Sequence, residues 1–344
     1  GVELMRELGE KDVRARVVIM TGAGDRIREA ARRVGEEKGL DIAGTLDKPF
    51  TANRLLALID DDPRRSGKAS AAKKRADPRT VTIDELRMAL VRDELTLRYQ
   101  PKVDVRSRLV VGFEALLRWQ HPDYGELLPD VFLPLALQSG LIDEITCRVL
   151  RAGARWVAAH ELGVRPILCV NLSAPTLANL AIVETLHAIC DEEGVTPDQV
   201  IFEITETAAA ASPQDALAFL TRLRLRGFHA AIDDAGTGHS SLTQLARLPF
   251  SEMKLDKSFV QDIGRIPEAE TIVASLVSLA HDLGLVVIAE GVENETAIDA
   301  LIGMDCDFMH GYAIAAPMPG KEASDWYARR KHPDPTVSLF DSPA

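Results

Sequence analysis

Residues 96–117 read TLRYQPKVDVRSRLVVGFEALL and contain two apolar runs typical of strands, at 96–103 and 109–117. Only residues 104–108 separate these runs. A parallel strand pair needs a crossover of a dozen or more residues, whereas an antiparallel pair can be joined by a short turn. The two strands are therefore predicted to pair antiparallel.

Six further apolar runs follow, and amphipathic helices separate most of them. They occupy residues 167–172, 200–204, 230–233, 252–255, 286–289 and 308–312. Strands that alternate with helices in this number are typical of a (β/α)8 barrel. The predicted fold class is therefore α/β, with a modified TIM-type barrel in which one strand is antiparallel to its neighbours.

The composition excludes several classes of protein. The formal net charge is −12 and aromatic residues make up 5% of the chain, so we expect no duplex nucleic-acid binding. The longest apolar stretch is interrupted by polar residues, and we expect no membrane association. The four cysteines are widely spaced without a CxxC pair, which favours a reducing compartment and a cytoplasmic location.

The domain organisation is predicted from changes in composition. Residues 61–80 include seven Lys or Arg residues among Pro, Ser, Gly and Ala, which indicates a basic flexible linker. Residues 1–60 have strand runs at 17–20 and 39–46, as in the C-terminal part of a small, doubly wound α/β domain. The barrel takes 81–330, and 331–344 is a flexible tail. Because the chain starts without Met, we expect it to be a fragment of a longer protein.

Polar residues lie at or just beyond the predicted C-terminal ends of the barrel strands, and these ends converge on one mouth. These residues are Glu114, Asn171, Glu203, Asp233, Asp234, Lys254, Glu290 and His310. So many carboxylates cannot all stay ionised in one cavity without cations, because like charges repel strongly at low dielectric. An all-oxygen ligand set favours Mg²⁺ or Mn²⁺ over Zn²⁺.

The pair Asp233 and Asp234 suggests two ions, because one carboxylate can bridge them while the other holds the second ion. That arrangement suits in-line displacement at phosphorus. A simple turn before Gly236 is an equal alternative for this pair. The loop at 235–242 (AGTGHSSL) can approach a phosphate, Glu206 can hold that loop by hydrogen bonds, and the guanidinium of Arg118 can contact a phosphodiester.

Several motifs together resemble those of the EAL-domain cyclic di-GMP phosphodiesterases. In order they are YQPKVD (99–104), EALLRWQHP (114–122), VNLSA (170–174), FEITET (202–207), DDAGTGHSSL (233–242), MKLDKSFV (253–260), AEGVE (289–293) and DFMHGY (307–312). The resemblance implies hydrolysis of cyclic di-GMP to linear pGpG with two divalent ions, Mg²⁺ or Mn²⁺, and inhibition by Ca²⁺. The alternative is a receptor that binds cyclic di-GMP and cleaves it weakly or not at all.

The resemblance also implies a role for each matching residue. Glu114, Asn171, Glu203 and Asp233 would bind the first ion, with Asp233 bridging and Asp234 completing the second. Lys254 and Glu290 would position or deprotonate the attacking water, and Glu293 would support Glu290. The remaining assignments are substrate contacts by Arg118, Leu116, Gln100 and His310, and anchoring of the loop by Glu206. The chain departs from the family pattern at Leu137, Ala235, His239, Asp305 and His310.

The first 60 residues resemble the end of a response-regulator receiver domain. The stretches VVIMTGAGD (17–25) and LDKPF (46–50) would make Thr21 the switch hydroxyl and Lys48 the phosphate-contacting lysine. Alternatively these residues are a strand-end cap and a surface lysine. The resemblance implies an upstream histidine kinase as partner. The incomplete sheet of this segment predicts either a homodimer formed through residues 1–60 or disorder of these residues.

Overall fold

The structure, a computed structural model, describes residues 4, 8, 16–21, 33–35, 38–47, 81–159, 166–236 and 247–330. The chain divides into two compact units, Gly1–Asp77 and Pro78–Ala344. In the first, β1 (Arg16–Thr21) pairs in parallel with β2 (Asp41–Asp47). The side chain of Thr21, the residue Lys48, the linker to residue 80 and the tail from residue 331 lie outside the described residues.

The second unit contains alternating strands and helices. The strands are β3 (Leu95–Asp104), β4 (Val110–His121), β5 (Gly125–Leu127), β6 (Ile167–Leu172), β7 (Val200–Thr205), β8 (His229–Ala235), β9 (Glu252–Leu255), β10 (Val286–Ala289), β11 (Phe308–Met309) and β12 (Met318–Pro319). The helices are α1 (Ile83–Val91), α2 (Pro129–Ser139), α3 (Ile142–Ala158), α4 (Ile182–Glu193), α5 (Glu206–Ala211), α6 (Pro213–Leu225), α7 (Lys257–Gln261), α8 (Pro267–Asp282), α9 (Glu295–Gly303) and α10 (Gly320–Ala328). Within these residues no helix combines the length and the apolar character that a membrane span requires.

Eight of the strands close into a barrel. From β4 the order runs through β6, β7, β8, β9, β10 and β11 to β3, and β3 pairs with β4 to complete the ring. Strand β3 is antiparallel to both β4 and β11, whereas the other neighbouring strands are parallel. The predicted barrel with one reversed strand is confirmed.

Close packing fixes the register at the seam between β4 and β6. Gly112 pairs with Ile167, and a methyl group at Gly112 would lie 2.6 Å from the carbonyl oxygen of Ile167. Leu168, Val170 and Phe202 are fully buried. This packing sets which residues of adjacent strands reach the mouth at the same height, as Asn171 and Glu203 do.

The structure corrects the sequence prediction at β4. This strand continues to His121 and forms a hairpin with β5, which the sequence did not predict. Arg118 therefore lies inside β4 and pairs with Thr96 of β3, rather than following the strand as expected. The short strand β12 was also not predicted. It pairs antiparallel with the first half of β3, where Met318 is opposite Tyr99.

Candidate active site

The predicted polar residues converge at the C-terminal mouth of the barrel, and the ammonium group of Lys254 lies at their centre. Its Nζ atom is 2.7 Å from Glu203 Oε2, 2.7 Å from Glu290 Oε1, 3.2 Å from Asp233 Oδ1 and 3.7 Å from Glu114 Oε2. Lys254 is 2% exposed. Four carboxylates thus share one buried ammonium, and the mouth carries an excess of negative charge.

The pKa values of the mouth show this excess. Burial raises the pKa of Asp233 to about 6, although the ammonium of Lys254 opposes the shift. Burial and the neighbouring carboxylate of Glu114 raise the pKa of Glu203 well above its usual range. For Glu290, burial is outweighed by Lys254 and His310, which lower its pKa. One ammonium therefore cannot keep every carboxylate of the mouth ionised, and further positive charge is required.

The donor atoms fit divalent cations. One oxygen from each of Asp233, Asp234 and Glu290 lies within 4.8 Å of the others. The first two are the residues expected to bind the second ion, and Glu290, expected to act on the water, lies beside them. Asn171 donates through Nδ2 to Glu114 Oε1 at 2.9 Å, so this amide reaches the carboxylate with which it would share the first ion. The position of Lys254 among four carboxylates shows where a cation is attracted in this site.

The backbone at the end of β8 is shaped to present both aspartates. Asp234 adopts the left-handed conformation, with φ of 55°, which is uncommon for residues other than glycine. Its amide donates to Asp233 Oδ1 at 3.0 Å. Two residues later, the amide of Gly236 donates a hydrogen bond to Glu206 Oε2 at 3.0 Å. Glu206 thus contacts the start of the glycine-rich loop, while His239 and the rest of 237–246 lie outside the described residues.

A cavity of about 340 Å³ opens onto the mouth. Seven of the predicted site residues line it, namely Gln100, Glu114, Asp233, Lys254, Glu290, Glu293 and His310. Glu293 accepts from Gln261 Nε2 at 2.7 Å. Arg118 and Leu116 are not among the described residues that line the cavity. The guanidinium of Arg118 instead donates to the carbonyl oxygen of Leu117 at 2.7 Å.

Other departures from the family pattern have separate environments. Leu137 lies on α2 and is 42% exposed, whereas Ala235 is buried at the end of β8. Asp305 has φ of 60° and forms an ion pair with Arg106. His310 donates or accepts at 3.0 Å from Glu290 Oε1, so it belongs to the carboxylate cluster itself.

Sequence analysis missed four residues. Lys257 and Tyr312 line the cavity, and both stand in quoted motifs, MKLDKSFV and DFMHGY. Lys102 and Glu252 form a fully enclosed ion pair inside the barrel, with Nζ 2.9 Å from Oε1. The signal for this pair was a lysine between buried Pro101 and Val103 in β3 and a glutamate two residues before Lys254, on the same face of β9.

A closed barrel, parallel except for one strand, with charged side chains gathered at its C-terminal mouth is the arrangement of a TIM-type α/β enzyme. The family model of the EAL domain matches residues 83–317, and the chain therefore belongs to the EAL-domain family. The family predicted from the motifs is confirmed. The half-receiver assignment of residues 1–60 stays a prediction.

Similar proteins include two from Pseudomonas aeruginosa. The cyclic di-GMP phosphodiesterase RocR is 33% identical over 317 residues, covering 90% of this chain and 79% of RocR. The bifunctional diguanylate cyclase/cyclic di-GMP phosphodiesterase MucR is 35% identical over 260 residues, covering 74% of this chain and 37% of MucR. This chain therefore spans little more than a third of MucR.

Solved structures show the same likeness. The PaMucR phosphodiesterase in its c-di-GMP complex has a TM-score of 0.65 and 36% identity, covering 70% of this chain and 98% of that chain. The FimX EAL domain from Pseudomonas aeruginosa, bound to c-di-GMP, has a TM-score of 0.64 and 26% identity, covering 69% of this chain and 96% of the FimX chain.

Proposed function

We propose that this chain is a metal-dependent phosphodiesterase that hydrolyses cyclic di-GMP to linear pGpG. The observation that carries the proposal is the cluster of Glu114, Glu203, Asp233 and Glu290 around the single ammonium of Lys254. The similarity to RocR and to the PaMucR phosphodiesterase supports the choice of substrate. An acidic mouth repels a bare phosphodiester, so cations are needed before an anionic substrate can bind.

The residues present fit two divalent ions of the Mg²⁺ or Mn²⁺ type. Glu114, Asn171, Glu203 and Asp233 would hold the first, and Asp233 and Asp234 the second. The chemistry that such ions supply when bound is activation of a water molecule and neutralisation of phosphate charge. Lys254 then no longer has to neutralise four carboxylates, and its ammonium can hold Glu203 and Glu290 in position.

The protein residues would carry the proton and orient the substrate. In the reaction a water oxygen forms a bond to phosphorus and the bond from phosphorus to the 3′ oxygen breaks. The attacking water gives up one proton, and the departing 3′ oxygen takes up one proton from solvent to become a hydroxyl. Glu290 is the candidate acceptor of the proton from water, because its carboxylate lines the cavity and lies beside Asp233 and Asp234. Gln100 and His310 line the same cavity. Arg118 has to leave its contact with Leu117 before it can contact the phosphate.

A turnover assay with a matched variant tests this function. Purified chain, cyclic di-GMP and Mg²⁺ should give pGpG, and Asp233→Asn should reduce kcat by about a thousandfold because Asp233 is expected to contact both ions. Glu322→Gln, an exposed carboxylate on α10, is the control and should keep parental turnover. Binding of cyclic di-GMP without pGpG from the parent chain would establish the alternative, a receptor.

Calcium should separate occupancy from catalysis. Ca²⁺ accepts the same oxygen ligands as Mg²⁺, but with longer bonds and a looser geometry. We therefore expect Ca²⁺ to compete for the site and inhibit turnover in Mg²⁺, measured as an inhibition that excess Mg²⁺ reverses. Full activity in Ca²⁺ alone would contradict the geometry proposed for the ions.

The first 60 residues are proposed to belong to a receiver that couples the enzyme to a histidine kinase. Thr21 and Lys48 would be its switch residues, and a homodimer would form through this segment. Deleting residues 1–79 should leave turnover unchanged, because the barrel is a separate compact unit. The same deletion should reduce the mass in solution, measured by light scattering, and an unchanged mass would contradict the dimer.

A further inference from the structure

We propose that His310 is a further ligand of the first ion, beside Glu114, with its second ring nitrogen held by Glu290, so that the mouth binds a cation through an imidazole nitrogen as well as through oxygens. This inference rests on the proposed function and concerns the ions of the same site. A nitrogen ligand changes which metals the site prefers, because imidazole binds Mn²⁺, Co²⁺ and Zn²⁺ better than it binds Mg²⁺.

The distances carry the assignment. One donor atom from each of Glu114, Glu290 and His310 lies within 4.8 Å of the others. His310 Nε2 is 3.0 Å from Glu290 Oε1, and its Nδ1 is 3.7 Å from Glu114 Oε2. Two ligand atoms that each bind an ion at about 2.1 Å lie at most about 4.2 Å from each other. Donor atoms that are 4.8 Å apart without the ion would therefore each have to move by about 0.3 Å to bind it.

His310 is held rigidly in this position. Its amide donates to the carbonyl oxygen of Ala289 at 3.0 Å, and its carbonyl oxygen accepts from the amide of Val292 at 3.1 Å. At the following residue, Gly311, any β-carbon would lie 2.3 Å from the backbone of Val292. His310 is itself only 8% exposed. A ligand fixed in this way loses little entropy when it binds an ion.

The charge of the surroundings favours a cation beside the imidazole. Both ring nitrogens face carboxylates, and the ammonium of Lys254 already lies 2.7 Å from Glu290 and 3.7 Å from Glu114. A histidine whose second nitrogen faces a carboxylate is the usual arrangement around protein-bound metals. The structure thus combines a nitrogen donor, two carboxylates and a position that attracts positive charge.

Electron spin-echo spectroscopy of the Mn²⁺-loaded chain is the direct test. The parent should show ¹⁴N coupling from an imidazole, and His310→Gln should lose it. His187→Gln on α4 and His239→Gln in the glycine-rich loop should both keep it. Coupling that persists in His310→Gln, or that disappears in His239→Gln, would overturn the assignment.

Metal titration by calorimetry provides the second readout. His310→Gln should bind Mn²⁺ and Co²⁺ about tenfold more weakly and Mg²⁺ within about twofold of the parent. Equal losses for all three metals would contradict a nitrogen ligand. If His310→Gln does not fold, the spectrum of the parent chain is the test. A Mn²⁺ signal of the parent without ¹⁴N coupling overturns the proposal. A ¹⁴N coupling that is present in the parent and retained in His239→Gln supports it.

The outcome separates this inference from the proposed function. If the parent chain converts cyclic di-GMP to pGpG but shows no ¹⁴N coupling, the proposed function is supported and the histidine ligand is contradicted. If the parent chain shows ¹⁴N coupling but releases no pGpG, the histidine ligand is supported and the proposed function is contradicted. Neither measurement depends on the other, because the spectra are recorded without substrate.

Discussion

The two buried lysines of the barrel have very different surroundings. At the mouth, Lys254 faces four carboxylates, whereas deeper in the barrel Lys102 faces one, Glu252. Lys102 Nζ lies 2.9 and 3.2 Å from the two oxygens of Glu252, and both residues are almost fully enclosed. The pair of Lys102 and Glu252, here named the lower pair, is balanced in charge, while the mouth is not. The excess carboxylates therefore mark the mouth as the end that requires cations.

The largest expected effect comes from breaking the lower pair. Lys102→Met leaves Glu252 charged and buried without a partner, which should lower the free energy of unfolding by about 3 to 5 kcal/mol. The double variant Lys102→Met/Glu252→Met removes both charges and should recover most of that loss. Urea unfolding of the three proteins measures the difference. A double variant as unstable as the single one would mean that the pair does more than balance charge.

The mouth should respond to metal where the lower pair does not. Mn²⁺ at a hundred times its dissociation constant should raise the free energy of unfolding by about 2.7 kcal/mol, because the ions bind only the folded chain. Asp233→Asn should lose most of this gain, whereas Lys102→Met/Glu252→Met should retain it. Thermal unfolding with and without Mn²⁺ checks both variants. Equal gains in both would contradict the difference between the two ends.

The sequence could predict the mouth but not the lower pair. Asn171, Glu203 and Lys254 stand at strand ends, and the direction of parallel strands places such ends together whatever the exact register. The meeting of Lys102 with Glu252 depends on how β3 lies across the barrel from β9, two strands that are not neighbours. No local pattern reports that distance. The end of β4 was misplaced for a similar reason, because its extension depends on pairing with β5.

Acid should weaken the N-terminal end of the barrel strands through His229 at the start of β8. Burial, together with Arg224 and Lys102, lowers the pKa of His229 to about 4 from 6.5. Arg224 donates to Nδ1 at 2.6 Å, a contact that requires an unprotonated nitrogen. Below pH 6.5 the imidazole of His229 binds a proton in the unfolded chain but stays unprotonated in the folded chain. The free energy of unfolding therefore falls from pH 6.5 towards pH 4.

The size of this pH effect is testable with one substitution. After allowance for solvent screening of a partly exposed group, His229 should account for about 1 to 2 kcal/mol of the loss between pH 7 and pH 4.5. His229→Gln should reduce the loss by that amount in urea unfolding at the two pH values. His187→Gln, whose histidine on α4 is half-buried and lies 3.2 Å from Asp191, is the control. The same pH dependence in all three proteins would contradict the assignment.

The smallest effect concerns Asp305, which precedes β11 at the same end of the barrel. Asp305 has a φ of 60°, and its carboxylate pairs with Arg106 from the turn between β3 and β4. Glycine adopts this backbone freely, whereas alanine is strained there, so Asp305→Ala should be about 1 kcal/mol less stable than Asp305→Gly. Both substitutions remove the exposed ion pair equally, and pairs of this kind contribute about 0 to 1 kcal/mol. Arg106→Ala measures that contribution alone, with the backbone of Asp305 unchanged. Urea unfolding that gave equal stabilities for the alanine and glycine variants would show that the backbone conformation of residue 305 is not what limits stability there.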